Sequence, residues 1–178
     1  MGSEMEDIKI IIEALIFTSE NPLTTDRLVE VLGEEADKKE IKNVLIDLVE
    51  EYNERKGGFY LEEVAGGFQF RTSTGLGEWV TKLKGMKPAT LTQAALETLA
   101  VVAYRQPVLK SEIDRIRGVD VSGSLRGLLD KKLVRMVGRK DVPGRPMLYG
   151  TTKKFLEIFN LKDLSELPTL RELKELGK

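Results

Sequence analysis

The residues best placed to bind another molecule lie in one short segment that is rich in glycine, proline and arginine. Between Gly138 and Pro146 the chain carries three cations, Arg139, Lys140 and Arg145. Such cations bind phosphate oxygens with a salt-sensitive affinity, and they bind protein carboxylates equally well. Arg145 stands between glycine and proline, in a stiffened loop that suits a fixed ion pair or hydrogen bond. A solvated loop without a partner is the alternative interpretation.

A second candidate binding feature is a predicted helix with two glycines on one face. Residues 122–129 read SGSLRGLL, and Gly123 and Gly127 are four residues apart. Each glycine inside a helix costs about 1 kcal/mol relative to alanine. Together the two leave either a groove open to another backbone or a surface for tight packing within the domain. As a DNA recognition helix this segment is poorly equipped, because Arg126 and Lys131 are its main cations and base contacts require long polar side chains.

The sequence offers no group of residues suited to catalysis. It contains neither cysteine nor histidine, which removes the thiolate nucleophile, the commonest metal ligand and the usual general base near neutral pH. The only Gly-x-Gly, at Gly75 and Gly77, is followed by Val80 where the dinucleotide fingerprint requires glycine, and no P-loop is present. We therefore expect no enzyme activity and no catalytic, cofactor-binding or metal-binding residues.

The net charge of −1 conceals an acidic first half and a basic second half. Residues 1–87 carry 11 Lys+Arg against 18 Asp+Glu, whereas residues 88–178 carry 17 against 11. Two such halves can attract each other within or between chains, and the basic half could approach nucleic acid; both could equally be solvated surfaces. Because no apolar run of about 18 residues and no signal-peptide pattern occurs, we expect a cytoplasmic protein without a membrane contact.

Two stretches of the chain share one pattern at a constant offset of 85 positions. Residues 11–33 read IIEALIFTSENPLTTDRLVEVLG, and residues 96–118 read LETLAVVAYRQPVLKSEIDRIRG. The apolar positions recur in register, as do Pro22 with Pro107 and Gly33 with Gly118. The period is too long for a solenoid repeat. We predict two copies of one small domain, each opening with a helix, a proline turn and a second helix.

The first predicted helix, over residues 8–18, is apolar on nearly all of its faces. Only Lys9 and Glu13, four residues apart, form a polar stripe. A helix that is apolar all round must be covered on more than one side, and a domain of about 80 residues comfortably covers one side. We therefore predict contact with a second copy of the chain; an interface with the second domain is the alternative. The predicted dimer-interface residues are Ile8, Ile11, Ile12, Leu15 and Ile16.

The remaining elements complete a winged-helix order twice. In the first copy, a third helix over residues 41–52 precedes a hairpin that turns at residues 65–67. In the second copy, a helix over residues 122–132 precedes strands at 133–137 and 147–151 and a last helix at 152–159. Predicted helix caps are Thr24, Asp37, Thr90 (with Gln93), Ser122 and Thr152. The predicted fold class is α+β, mainly α, with two tandem winged-helix domains, each a helix-turn-helix plus a β-hairpin wing.

The predicted domain boundaries follow the charge and the turn signals. An acidic N-terminal domain over residues 5–87, which mediates dimerisation, ends at a linker around Gly85 to Pro88. A basic domain follows over residues 88–160. Residues 161–178 form a C-terminal tail dotted with leucines, which dock either onto the body of the protein or onto a neighbour.

Short motifs in the second half recur in a distinctive order. They are LTQAALETLA at 91–100, AYRQPV at 103–108, EI at 112–113, IRGV at 116–119, GRP at 144–146, YGTT at 149–152, FL at 155–156 and LP at 167–168. Together they resemble the ScpB family of segregation and condensation proteins, nearly continuously from residue 91 to residue 168. The first half matches in outline, through its acidic winged helix and EALIF at 13–17. Asn160 stands where the family commonly has glycine, and asparagine tolerates the same left-handed backbone.

The resemblance implies a non-catalytic accessory subunit of a bacterial condensin built on an SMC ATPase and a kleisin. It implies a homodimer through the N-terminal domains, an ScpA-like kleisin partner, and through it the SMC ATPase. It also implies a role in chromosome condensation and partition during cell division, in the cytoplasm at the nucleoid, with DNA contact indirect or weak. The candidate partner-binding residues are Tyr104, Gly123, Arg126, Gly127, Arg139 and Arg145. The alternative is a tandem winged-helix DNA-binding regulator, which should show steeply salt-dependent DNA affinity.

Overall fold

The computed structural model describes residues 2–85, 90–169 and 172, with side chains described from Asp7 onward. The chain divides into two compact units, Met1–Pro88 and Ala89–Lys178. Linker residues 86–88 and the tail leucines Leu170, Leu173 and Leu176 lie outside the described residues. Within the described ranges, every helix is too short or too polar to cross a membrane.

Unit 1 is a winged-helix module followed by a short helix. Its elements are α1 (Gly2–Thr18), α2 (Thr25–Leu32), α3 (Lys38–Glu54), β1 (Phe59–Val64), β2 (Gly67–Thr72) and α4 (Gly77–Lys84). The hydroxyl oxygen of Thr24 accepts a hydrogen bond from the Arg27 backbone N–H at 3.2 Å, which caps α2. The Asp37 carboxylate accepts from two backbone N–H groups, each at 2.8 Å, which caps α3. Both predicted caps are confirmed.

The core of unit 1 lies where α1, α2, α3 and β1 meet. Ile12, Leu45 and Leu61 are fully buried there, together with apolar residues of α2. Burying one such side chain contributes about 1.5–3 kcal/mol. This core fixes the orientation of α1 about its own axis and so decides which residues of α1 face outward.

Unit 2 repeats the module with a larger sheet. Its elements are α5 (Gln93–Arg105), β3 (Val108–Leu109), α6 (Lys110–Arg117), α7 (Ser122–Asp130), β4 (Val134–Arg139), β5 (Met147–Thr151) and α8 (Lys153–Ile158). The three strands form an antiparallel sheet in the order β3-β5-β4. Leu99, Ile113 and Leu128 from α5, α6 and α7 are buried against this sheet. The predicted fold class, mainly helical α+β with two helix-plus-hairpin units, is confirmed.

The 85-residue duplication extends to a strand pairing that the sequence analysis missed. In each unit the residue after the aligned proline pairs with the last strand of the wing: Leu23 with Phe68, and Val108 with Tyr149. In unit 1 the pairing is a single bridge, with both N···O distances at 2.9 Å. A strand of one or two residues has no periodicity, so its sequence carries no strand signal.

Two predicted caps are wrong. Helix α5 begins at Gln93 and is capped by Thr92, not by Thr90. Gln93 is therefore its first residue, and its side chain pairs with Glu97 within the helix instead of bonding back to the cap. Ser122 does not cap α7, because its hydroxyl donates to the neighbouring Asp120 carboxylate at 2.8 Å.

The ends of the last two helices depend on left-handed residues. Helix α7 ends at Asp130, two residues earlier than predicted, because Lys132 has a φ of +58°. Thr152 caps α8 as predicted, its hydroxyl oxygen accepting from the Phe155 N–H at 3.2 Å. Asn160, just after α8, has a φ of +55°, so its predicted left-handed conformation is confirmed.

Candidate partner-binding surfaces

The polar stripe of α1 faces α3, and its two side chains are half-buried there. Lys9 Nζ lies 2.5 Å from a carboxylate oxygen of Glu51 on α3. One turn further along α1, the Glu13 carboxylate accepts a hydrogen bond from the hydroxyl of Tyr52 on α3. That bond is the main cause that raises the pKa of Tyr52 to about 12. Both polar side chains of the stripe are therefore used inside unit 1.

The outward side of α1 is consequently apolar over two turns. Ile10 is 59% exposed and Phe17 is 74% exposed, and Ile11 and Ala14 are also exposed. Of the five predicted dimer-interface residues, the structure places Ile8, Ile12 and Ile16 in the core of unit 1, Leu15 half-buried beside it, and only Ile11 on the surface. An interface with a second copy stays a prediction, and the residues available for it are Ile10, Ile11, Ala14 and Phe17.

A second apolar surface of unit 1 was not anticipated. Helix α4 buries none of its residues. Trp79, the only tryptophan of the chain, is 66% exposed, and Leu83, four residues on, is 88% exposed. The Lys82 ammonium lies 4.9 Å from the Trp79 ring centroid, which shields part of one ring face. The four-residue spacing of Trp79 and Leu83 in the sequence was the available signal for one apolar helix face.

The wing of unit 2 brings its three predicted cations into one closed loop. The Arg139 guanidinium donates to the Arg145 carbonyl oxygen at 3.2 Å, and the Lys140 N–H donates to the Pro146 carbonyl at 2.9 Å. Gly144 and Arg145 both have positive φ, +84° and +40°. The Arg139 side chain and backbone atoms thus hold the loop, and Lys140 Nζ lies 3.9 Å from a carboxylate oxygen of Glu112. The Arg145 side chain is displayed on the exposed surface without an ion pair among the described residues.

The two glycines of α7 form the floor of an open groove. A Cβ atom built on Gly123 or Gly127 would meet nothing within 4 Å outside the backbone of its own helix. The groove has a volume of about 290 Å³, and Leu91, Ala95 and Lys131 line it together with these glycines. The alternative of tight packing within the domain is therefore wrong for the described residues. Arg126, also a predicted binding residue, is exposed on α7 outside the groove lining.

Tyr104, the remaining predicted binding residue, is occupied by the C-terminal segment. Its hydroxyl donates to the Pro168 carbonyl oxygen at 2.7 Å. Leu161 and Leu167 of the same segment pack partly buried against the core of unit 2, whereas Leu164 is exposed. The described part of the predicted tail, up to Thr169, thus docks onto its own unit.

Unit 2 also holds a cluster of lysines that the sequence did not predict. The Thr152 hydroxyl donates to the Lys132 carbonyl oxygen at 2.6 Å, and the Thr152 N–H donates to the Leu133 carbonyl at 3.2 Å. These bonds bring Lys153 and Lys154, the first residues of α8, close to Lys131 and Lys132, which follow α7. The two Lys-Lys doublets are visible in the sequence, but nothing in their spacing predicts that they meet.

The described residues give no sign of chemistry at a metal or catalytic centre. They contain no group of three or more carboxylates placed to hold a metal ion. The charge network of unit 2 is structural: Lys110 lies 2.8 Å from Asp114 and 2.5 Å from Asp120. Hydrogen bonds from Lys110 lower the pKa of both carboxyls. This network fixes the turn between α6 and α7.

Comparison with known proteins gives consistent results. The family model described as segregation and condensation complex subunit ScpB matches residues 10–170. Segregation and condensation protein B of Syntrophotalea carbinolica is 49% identical over 97% of this chain and 86% of its own length. The protein of the same name from Myxococcus xanthus is 48% identical over 95% of this chain but only 51% of its own length. A crystal structure titled as a dimer of the ScpB N-terminal domain complexed with ScpA peptide is 28% identical over 44% of this chain and 96% of that one, with a TM-score of 0.40.

Proposed function

The chain belongs to the family of the segregation and condensation complex subunit ScpB, and we propose that it acts there as a dimeric adaptor that binds ScpA, the kleisin. The family's members are non-catalytic subunits of the SMC complex for chromosome segregation and condensation. What this chain contributes must therefore come from its binding surfaces. Unit 1 supplies the dimer contact, and unit 2 adds surfaces for ScpA to any that the N-terminal unit offers.

The observation that carries the dimer proposal is the reversed polarity of α1. Its Lys9 and Glu13 are bonded to α3, so its solvent side presents Ile10, Ile11, Ala14 and Phe17. A continuous exposed apolar helix face favours association, because burying it gains about 25 cal/mol for each Å² removed from water. A second copy offers the same face, so a symmetric contact would cover both.

Two surfaces of unit 2 support ScpA binding. The α7 groove is open at Gly123 and Gly127, so a partner backbone can approach α7 closely. The wing displays Arg145 on a loop that the Arg139 guanidinium and a backbone hydrogen bond hold closed, which suits an ion pair with a partner carboxylate. These surfaces would orient ScpA, while apolar contacts supply most of the affinity.

In this proposal the SMC complex as a whole acts on the chromosome, and this chain does not recognise DNA bases. We place the chain in the cytoplasm at the nucleoid, where an SMC complex works. The alternative of a DNA-binding regulator is disfavoured because α7 presents Gly123 and Gly127 where a recognition helix requires long polar side chains. Any contact of the wing cations with DNA would be weak and sensitive to salt.

The test is a pair of measurements on the full chain. Sedimentation equilibrium at micromolar concentration should give a dimer. Titration with ScpA of the same organism, and separately with duplex DNA, should be run at about 0.1 M and about 0.5 M salt. We expect ScpA binding to survive the higher salt and DNA binding to be weak and lost. A monomer that binds DNA tightly and ignores ScpA at either salt would contradict the proposal.

A further inference from the structure

One groove of unit 2 combines an apolar lining with an uncompensated positive charge. It has a volume of about 360 Å³. Leu91, Leu133 and Ile158 supply its apolar lining, and Ile158 is 54% exposed on α8. Lys131, Lys132, Lys154 and one acid, Asp130, complete the lining.

The lysines around this groove lack partners within the described part of the chain. Lys131, Lys132, Lys153 and Lys154 take part in no ion pair there, and all four are exposed. The Thr152 bonds to the Lys132 and Leu133 carbonyls keep the two doublets together. Like charges held close repel each other, and an anionic partner would relieve that repulsion.

Three of these lysines also occupy positions that the local backbone disfavours. Helix α7 ends with the Lys132 N–H bonded to the Leu129 carbonyl and the Leu133 N–H bonded to the Leu128 carbonyl, the pattern of a Schellman motif. Lys132 occupies its left-handed position at φ +58°, where glycine is unstrained. Lys153 and Lys154 stand in the first turn of α8, where the helix dipole disfavours cations. Local rules that a sequence breaks without a gain to the fold point to function.

We propose that this groove binds an acidic segment of ScpA that carries one leucine-like anchor. The anchor packs against Leu91 and Ile158, and the carboxylates beside it pair with Lys131, Lys132 and Lys154. This inference rests on the proposed function and specifies the chemistry of one ScpA contact. The apolar lining favours a protein segment over DNA, since a phosphate backbone has nothing to bury against Ile158.

Residues 170–178 are a poor match for this groove. Residues 170–178 read LRELKELGK, with three cations against two carboxylates. That segment is not complementary to a lysine cluster. The described part of the tail ends on the Tyr104 side of unit 2 through the Pro168 carbonyl. An acidic partner segment is the complementary choice.

The test compares two charge-reversed variants of the full chain. Lys132→Glu with Lys154→Glu, two groove lysines that lie outside the lining of the α7 groove, should weaken ScpA binding about tenfold or more at moderate salt. The matched control is Lys39→Glu with Lys42→Glu, which makes the same charge change at exposed positions of α3 and should bind like the unmodified chain. An equal loss of ScpA affinity in both variants would indicate a general charge effect and would overturn the proposal that this groove binds ScpA.

Two further variants separate binding from folding. Lys132→Gly removes one cation and relieves the left-handed strain, so it should raise the melting temperature while weakening ScpA binding. Ile158→Ser should weaken binding with little change in melting temperature, because the side chain is exposed. Unchanged affinity in both variants would overturn the inference and leave the ScpA adaptor proposal standing.

Two probes, an acidic peptide and a DNA duplex, distinguish failure of the groove proposal from failure of the proposed function. A synthetic acidic peptide of glutamate and leucine should bind the unmodified chain and not the Lys132/Lys154 variant, whether or not ScpA binds. Lack of ScpA binding by the unmodified chain contradicts the proposed function; lack of peptide binding contradicts the groove. A different result would assign the cluster to phosphate: binding of a short DNA duplex is lost in the double lysine variant, while binding of ScpA and of the peptide is unchanged.

Discussion

Tyr52 of α3 and Glu13 of α1 are joined by a hydrogen bond in which the tyrosine hydroxyl donates and the carboxylate accepts. Beside it, Lys9 pairs with Glu51 between the same two helices. The only polar stripe of α1 over residues 8–17 is therefore turned toward its own module. The outward side of α1 is left with isoleucine, alanine and phenylalanine, so a contact inside one protomer determines the surface offered to the next.

Replacing Tyr52 by phenylalanine should destabilise unit 1 by about 1–2 kcal/mol, because Glu13 loses its donor. The raised folded-state pKa gives the sign of the pH dependence: the bond contributes fully below about pH 10 and is lost as the pH rises through about 12. Urea unfolding at neutral and alkaline pH measures both effects. The difference between the two proteins should shrink above pH 10, and a difference that persists unchanged at pH 12 would contradict this assignment.

Introducing aspartate on the outward side of α1 should dissociate the dimer. Ile10→Asp or Phe17→Asp buries a charge in the proposed contact, at a cost of several kcal/mol per site. Sedimentation equilibrium should show monomers whose circular dichroism is unchanged. The control is Val31→Asp on α2, an exposed apolar residue outside this face. Dimers in all three variants would place the interface elsewhere.

Replacing the α7 glycines by alanine should increase stability and reduce partner binding together. A Cβ at Gly123 or Gly127 meets nothing within 4 Å outside its own helix, so each change should stabilise α7 by about 1 kcal/mol. The added methyl groups partly fill the groove, so ScpA affinity should fall. Thermal unfolding and calorimetric titration measure the two effects. Ser111→Ala, a change at an exposed position of α6 outside the groove lining, should leave affinity unaltered.

The pattern of the sequence predicts the modules well and their surfaces poorly. The 85-residue offset and the caps at Thr24, Asp37 and Thr152 predict both winged-helix units, because they are local and periodic signals. Apolar character alone does not determine which side of α1 faces outward, since that depends on Lys9 and Glu13 finding partners 42 and 39 residues away. The lysine cluster was missed for the same reason: its doublets meet only through the bond from Thr152 to Lys132, 20 residues apart.

Adding a methyl group at Gly67 should disrupt the wing of unit 1. A Cβ there would lie 2.8 Å from the backbone carbon of Pro22, where the chain passes to pair Leu23 with Phe68. Because a backbone atom cannot give way cheaply, Gly67→Ala should cost about 1–3 kcal/mol. Gly75→Ala is the control, since a Cβ at that position meets nothing within 4 Å. Chemical denaturation of both variants checks the difference. Equal stability of the two variants would mean that the backbone around Gly67 shifts at little cost.

Removing the Asp114 carboxylate should loosen the turn between α6 and α7 and make stability less dependent on acid. Asp114 accepts from Lys110 at 2.8 Å and from the Val121 N–H at 2.9 Å, and these bonds lower its pKa. A lowered folded-state pKa means that the contribution is present above about pH 4, the ordinary range of the carboxyl, and is lost as the pH falls through the folded-state value. Asp114→Asn should therefore be less stable than the unmodified chain at pH 7, and the two should converge as the pH falls through the lowered folded-state pKa of Asp114. Asp141→Asn, an exposed wing-tip change outside this network, should follow the unmodified chain at every pH, because no ion pair among the described residues depends on that carboxylate. A constant difference between Asp114→Asn and the unmodified chain from pH 7 to pH 2 would show that the side chain acts through its shape and not through its charge.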